Sequence, residues 1–122
     1  MPEPLQQQRS LDNSEIVCKA FFRAADDLGH SRVYLEKLLN KTGNTISNLR
    51  NGKSPLRGTE QELALLYLRI YRSLSALMGG NLDQCKAWLE AENHALGDSP
   101  KEMITSIEGL VHVVDYLDSM RG

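Results

Sequence analysis

The chain has 122 residues, a formal net charge of −2, 41% hydrophobic and 25% charged residues, and two cysteines. That describes one ordinary globular domain, or two small helical units sharing a core, large enough to fold without disulfides or a metal. No apolar run approaches a membrane span and the opening MPEPLQQQRSLDN is too polar for a signal peptide, so a cytoplasmic location is expected.

In chain order the pattern predicts about seven helices and no strand, an all-α fold. Residues 1–13 are expected to be a disordered leader. SEIVCKAFFRAADDLG places Val17, Ala20, Phe21, Ala24 and Leu28 at helical spacing, with Ser14 as N-cap and Gly29 as the stop. Ser31 caps a short second helix, RVYLEKLL, whose Leu35, Leu38 and Leu39 face inward. Asn40 and Lys41 make a tight turn, and Thr42 caps a third helix that ends at Gly52. The connector GKSPLRG then separates an N-terminal region, 14–58, from a C-terminal region, 59–122.

The fourth helix opens with an apparent capping box between Thr59 and Glu62 and runs to Gly79-Gly80. Leu63, Leu66, Tyr67, Ile70, Leu74 and Leu77 form one stripe, while Leu65 and Leu68 extend the apolar surface to other sides. A helix apolar nearly all round should be central, meet another chain, or both. Asn81 opens the fifth helix, which carries Leu82, Cys85, Trp88 and Leu89. Ser99, Pro100 and Glu102 begin a sixth, and the last, from Ile107, aligns Leu110, Val113, Val114, Leu117 and Met120.

Cys18 and Cys85 are far apart and sit among apolar helical positions, which reads as reduced core cysteines. His30, His94 and His112 form no pair at metal-ligand spacing. With no Ser/His/Asp set, glycine-rich phosphate loop or metal pattern, no catalytic residue, metal or cofactor is expected, and an enzyme is disfavoured.

Charge is unevenly divided. Residues 1–58 hold nine Lys/Arg and six Asp/Glu, whereas residues 59–122 hold five and ten. Within the cationic half, residues 40–58 (NKTGNTISNLRNGKSPLRG) contain four basic side chains and no acid. On a helical wheel Ile46 and Leu49 fall together on one side, and Asn44, Ser47, Asn48 and Asn51 share an opposite arc of roughly 100°. Short amides suit base edges in the major groove, and Arg50, Lys53 and Arg57 suit phosphates. Two short capped helices joined by a tight turn are the helix-turn-helix arrangement. The candidate DNA-binding set is Asn44, Thr45, Ser47, Asn48, Arg50, Asn51 and Lys53.

The stretches LGHSRVYLEKLLNKTGNTISNLRNG, RIYRSLSALMGG, AWLEAENHALG, SPKEMI and GLVHVVDYLD together resemble the Xre/MbcA/ParS antitoxins, over about residues 14–122. The resemblance implies an Xre-like helix-turn-helix followed by a C-terminal toxin-binding and dimerisation domain. It implies a homodimer that binds a RES-domain toxin, an enzyme that depletes cellular NAD, and that represses its own operon on a palindromic operator. Asn44, Ser47, Asn48 and Arg50 would then read the operator. Trp88, Leu89, Asn93, Leu96, Gly97 and Pro100 match the toxin-binding motif, most of them as framework. Asp115, Tyr116, Asp118, Arg121 and the Gly122 carboxylate lie on or beyond the last helix, where this family can reach the toxin's NAD pocket. The implied toxin-binding set is therefore Trp88, Asn93, Asp115, Tyr116, Asp118, Arg121 and Gly122. A pocket for two phosphates offers cationic groups, so carboxylates there could act as anionic plugs. The competing expectation is a stand-alone dimeric transcriptional regulator with no toxin partner.

Overall fold

The computed structural model describes the backbone of residues 3–121 and the side chains of residues 13–121. Seven helices follow one another: α1 Glu3–Leu28, α2 Arg32–Leu39, α3 Gly43–Arg50, α4 Gly58–Leu77, α5 Leu82–Glu90, α6 Pro100–Met103 and α7 Ile107–Arg121. No strand occurs among the described residues, and one isolated bridge joins Asn93 to Asp98. The fold is all-α.

The short helices are bounded by local chemistry. Ser31 accepts a hydrogen bond from the Tyr34 N–H at 3.2 Å, Thr42 from Thr45 at 3.3 Å, Asn81 from Gln84 at 3.0 Å and Ser99 from Glu102 at 3.4 Å. Each satisfies one of the amide donors that a helix leaves unpaired at its start. Asn40 closes α2 in the left-handed region, at φ 54°, and only Thr42 and Lys41 separate it from α3. Asn reaches that conformation more readily than a branched residue would.

Two expectations about helix starts are corrected. α1 begins at Glu3, so the segment expected to be a disordered leader is helical over residues 3–13. No glycine or proline interrupts the chain from Leu5 to Leu28, and Pro4 lies in the first turn, where its missing N–H costs nothing. Ser14 is consequently inside the helix, and its hydroxyl donates to the Leu56 carbonyl across the connector. α4, in turn, starts at Gly58 after an extended Arg57, without a side-chain cap. Thr59 is already helical there, so it cannot serve as the N-cap of a box with Glu62.

α4 is central. Its buried Leu63, Ala64, Tyr67, Leu68, Ile70, Ser73 and Leu74 pack chiefly against α1 on one side and α7 on the other. One continuous core runs from Phe21 in α1 through Leu35, Ile46 and Leu49 to Leu110, Val113 and Leu117 in α7. The N- and C-terminal regions therefore share their interior. Met120, expected on the inner face of α7, is exposed instead.

A polar cluster crosses this interior. His30 is buried at the α1–α2 turn, with its Nδ1 2.6 Å from the Tyr67 hydroxyl of α4 and its ring 4.3 Å from that of Tyr34. The Tyr34 hydroxyl donates to the Lys101 carbonyl in α6. Burial, with Lys101 nearby, pulls the His30 pKa down to about 4, so the imidazole is neutral at pH 7. Both cysteines are free thiols, Cys85 buried and Cys18 half-buried, the latter 3.3 Å from the Leu49 carbonyl.

Candidate functional site

α3 buries Ile46 and Leu49 and turns the opposite side outward, as the wheel requires. Asn44 is exposed, and Ser47 and Asn48 are half-buried. Among the described residues these three side chains form no internal hydrogen bond, which leaves their amides and hydroxyl available to a ligand. Thr45 does part of its work internally, its N–H and hydroxyl both meeting Thr42. Asn51 is the C-cap residue of α3 and Lys53 is exposed just beyond it. The amide face is thus displayed, with a cation at its end.

Arg50 departs from the expected arrangement. Its two terminal nitrogens donate to the two oxygens of Asp26 in α1, each at 3.1 Å, and the guanidinium carbon lies 4.6 Å from the centre of the Phe22 ring. On the wheel Arg50 is about 40° from buried Ile46, so it leans back toward α1 rather than out with the amides. The guanidinium holds the Asp26 carboxyl below the usual carboxylate range. With side chains 42% and 59% exposed, the pair is solvated, and such pairs contribute at most about 1 kcal/mol. It borders a cleft of about 780 Å³ between α1 and the α3–α4 connector, floored by Cys18, Phe22, Leu49 and Leu56. Asp26 and Phe22 were not candidates from sequence; the angular position of Arg50 was the available signal.

The second candidate region is the α4–α7 pair. Arg69 binds Asp118 through two contacts, at 2.6 and 3.3 Å, and Arg121 donates to the Ser73 hydroxyl at 3.2 Å. Both contacts advance along α4 and α7 in the same direction, so the two helices run parallel. Asp118 is accordingly paired within the chain, and Arg121 anchors the last turn. Arg69 and Ser73, spaced i, i+4 on α4, were missed from sequence because nothing there pairs them with positions 118 and 121.

Asp115 remains exposed, beside Glu108, Val111, His112 and Tyr116 in a shallow surface depression on α7. The Tyr116 and Trp88 rings stack, half-buried, with centroids 6.4 Å apart. Asn93 organises its own loop: its side-chain oxygen accepts from the Leu96 N–H and its carbonyl from the Gly97 N–H. The Gly122 carboxylate lies outside the described residues. Leu65 of α4 and Ile107 and Val111 of α7 are exposed apolar side chains on this part of the molecule. Among the described residues no group of His, Cys, Asp or Glu is arranged to hold a metal, and no helix is long and apolar enough to cross a membrane.

These features describe a helical protein whose last helix, α7, packs parallel to the central helix α4. Residues 73–122 match the family model described as the antitoxin Xre/MbcA/ParS C-terminal toxin-binding domain. Over that stretch the chain is similar to the toxin-binding domain that the resemblance named. No curated protein matches the chain.

Proposed function

We propose that the chain is the antitoxin of a type II toxin–antitoxin pair. Residues 59–122 bind and occlude the active site of a RES-domain NAD-degrading toxin, and residues 14–58 bind a palindromic operator as part of a homodimer, repressing the shared operon. The observation that carries this reading is the toxin-binding domain match over residues 73–122. The two regions divide by role and not by packing, since they share a core.

Inhibition on this reading is steric and electrostatic. The Arg69–Asp118 and Arg121–Ser73 contacts fix the last turns of α7 against α4. Asp115 is then presented from a rigid helix to a pocket that accommodates the two phosphates of NAD, and the Gly122 carboxylate is the second candidate plug. Carboxylates suit the cationic groups of such a pocket and bring no chemistry of their own. On the DNA side, Asn44, Ser47 and Asn48 face the bases, with Lys53 on the backbone. The exposed Leu65, Ile107 and Val111 suit a contact between copies or with the toxin.

The test is cellular NAD after induction of the adjacent toxin reading frame, with and without this chain. NAD is expected to collapse alone and to be preserved by co-expression. Unchanged NAD in both cases overturns the RES assignment. Deleting Met120–Gly122 is expected to release toxin activity while the complex still forms, and full inhibition by the truncated chain would refute the plug.

A further inference from the structure

We propose that Asp26 masks Arg50, and that operator binding exchanges this carboxylate for a DNA phosphate. The proposal rests on the DNA-binding reading above and adds a residue from α1 that controls how strongly the α3 surface binds. Its basis is geometric. Both terminal nitrogens of Arg50 are committed to the two Asp26 oxygens at 3.1 Å, a bidentate fork of the kind Arg also makes with phosphate. A guanidinium so engaged brings little net charge to the DNA, because the ion pair is neutral.

Three observations make the exchange feasible. The pair is solvent-accessible on both sides, so a phosphate can approach without unfolding anything. The cleft beside it, lined by Arg50, Asp26, Gly52 and Ser54, gives the side chain room to swing away from Phe22. Finally, Arg50 is the last residue of α3 and directly precedes Asn51, with Lys53 just beyond, so the freed guanidinium stays at the edge of the amide face. Solvated ion pairs are weakly held, whereas a polyanion offers many phosphates and releases counterions on binding. The free protein therefore holds one cation per copy in reserve until DNA displaces Asp26.

The experiment measures binding of the full chain to the DNA upstream of its operon across a salt series, for the wild type, Asp26→Asn, Arg50→Ala and the double variant. Asp26→Asn keeps the side chain's shape and removes its charge. It is expected to tighten binding by about threefold to tenfold and to leave the log K against log salt slope nearly unchanged, because Arg50 ends on a phosphate in both complexes and only the competing carboxylate is gone. In the Arg50→Ala background the same substitution is expected to change neither quantity, which separates unmasking from a general loss of negative charge. Unchanged or weaker binding by a folded Asp26→Asn variant overturns the proposal, the weaker result making Asp26 a support for Arg50. An equal gain in the Arg50→Ala background also overturns it. If the wild type binds no DNA, the operator reading and the mask fail together, whereas wild-type binding without the Asp26 effect defeats the mask alone. Melting curves for all four proteins show whether each variant is folded.

Discussion

His30 shows how a single residue ties the stability of the fold to pH. Its ring is buried between Tyr34 and Tyr67, and burial pulls its pKa down from 6.5 to about 4. The unfolded chain therefore binds a proton between those values that the folded chain does not. Stability is at its full value above about pH 6.5 and falls as pH drops toward 4, below which both states are protonated and this effect levels off. Allowing for partial solvent screening, the loss is about 2 kcal/mol. Chemical denaturation at pH 7.0 and pH 5.0 is expected to show most of that loss in the wild type and little of it in His30→Gln, which keeps a polar partner for Tyr67. An equal pH dependence in the variant would assign the effect to other groups.

At the scale of elements, most of the helix pattern was legible because its signals are local. Ser31, Asn40, Thr42, Asn81 and Ser99 mark boundaries through local bonds and Pro100 through its fixed φ at the first helical position, and the structure places each at its helix end. The two failures have different causes. Ser14 has the right chemistry for a cap, but nothing at residues 5–13 makes the chain leave helical geometry before it, whereas α4 begins one residue ahead of Thr59, at Gly58 after an extended Arg57. The candidate sites were legible where only one helix matters, as for the amide face of α3. They were hidden where a partner comes from another element, as with Asp26 for Arg50 and Arg69 for Asp118. Gly109 is a further case. A Cβ there would lie 1.9 Å from the Met103 carbonyl oxygen and 2.7 Å from its carbon, so α7 crosses the end of α6 at backbone contact. Helix propensity alone favours alanine by up to about 1 kcal/mol. The clash is with backbone that cannot rotate aside, so Gly109→Ala is expected to destabilise by about 2 kcal/mol net and to lower Tm by roughly 5–10 °C. A rise in Tm would mean that the α6–α7 corner relaxes freely.

At the scale of the whole molecule, the sharing of α4 decides how the two roles are linked. α4 packs on α1 in the proposed DNA-binding half and on α7 in the toxin-binding half, and Leu74 is fully buried between the surrounding helices. Two units joined only by the 51–58 connector would unfold separately, and a core mutation in one would spare the other. A single core makes unfolding cooperative, so both surfaces are lost together. Leu74→Ala removes buried apolar volume and is expected to cost about 3 kcal/mol. The discriminating measurement is hydrogen exchange of the most protected amides in α2 and α3 beside those in α7. Equal losses of protection in both sets are expected, with far-UV circular dichroism and Trp88 fluorescence giving one coincident transition. If α2 and α3 kept their protection while α7 lost it, the regions would be energetically separate despite their contact. Toxin binding could then stabilise the C-terminal half without reaching the DNA-binding face. With coincident losses, any ligand that binds only the folded chain at one surface also stabilises the other by mass action.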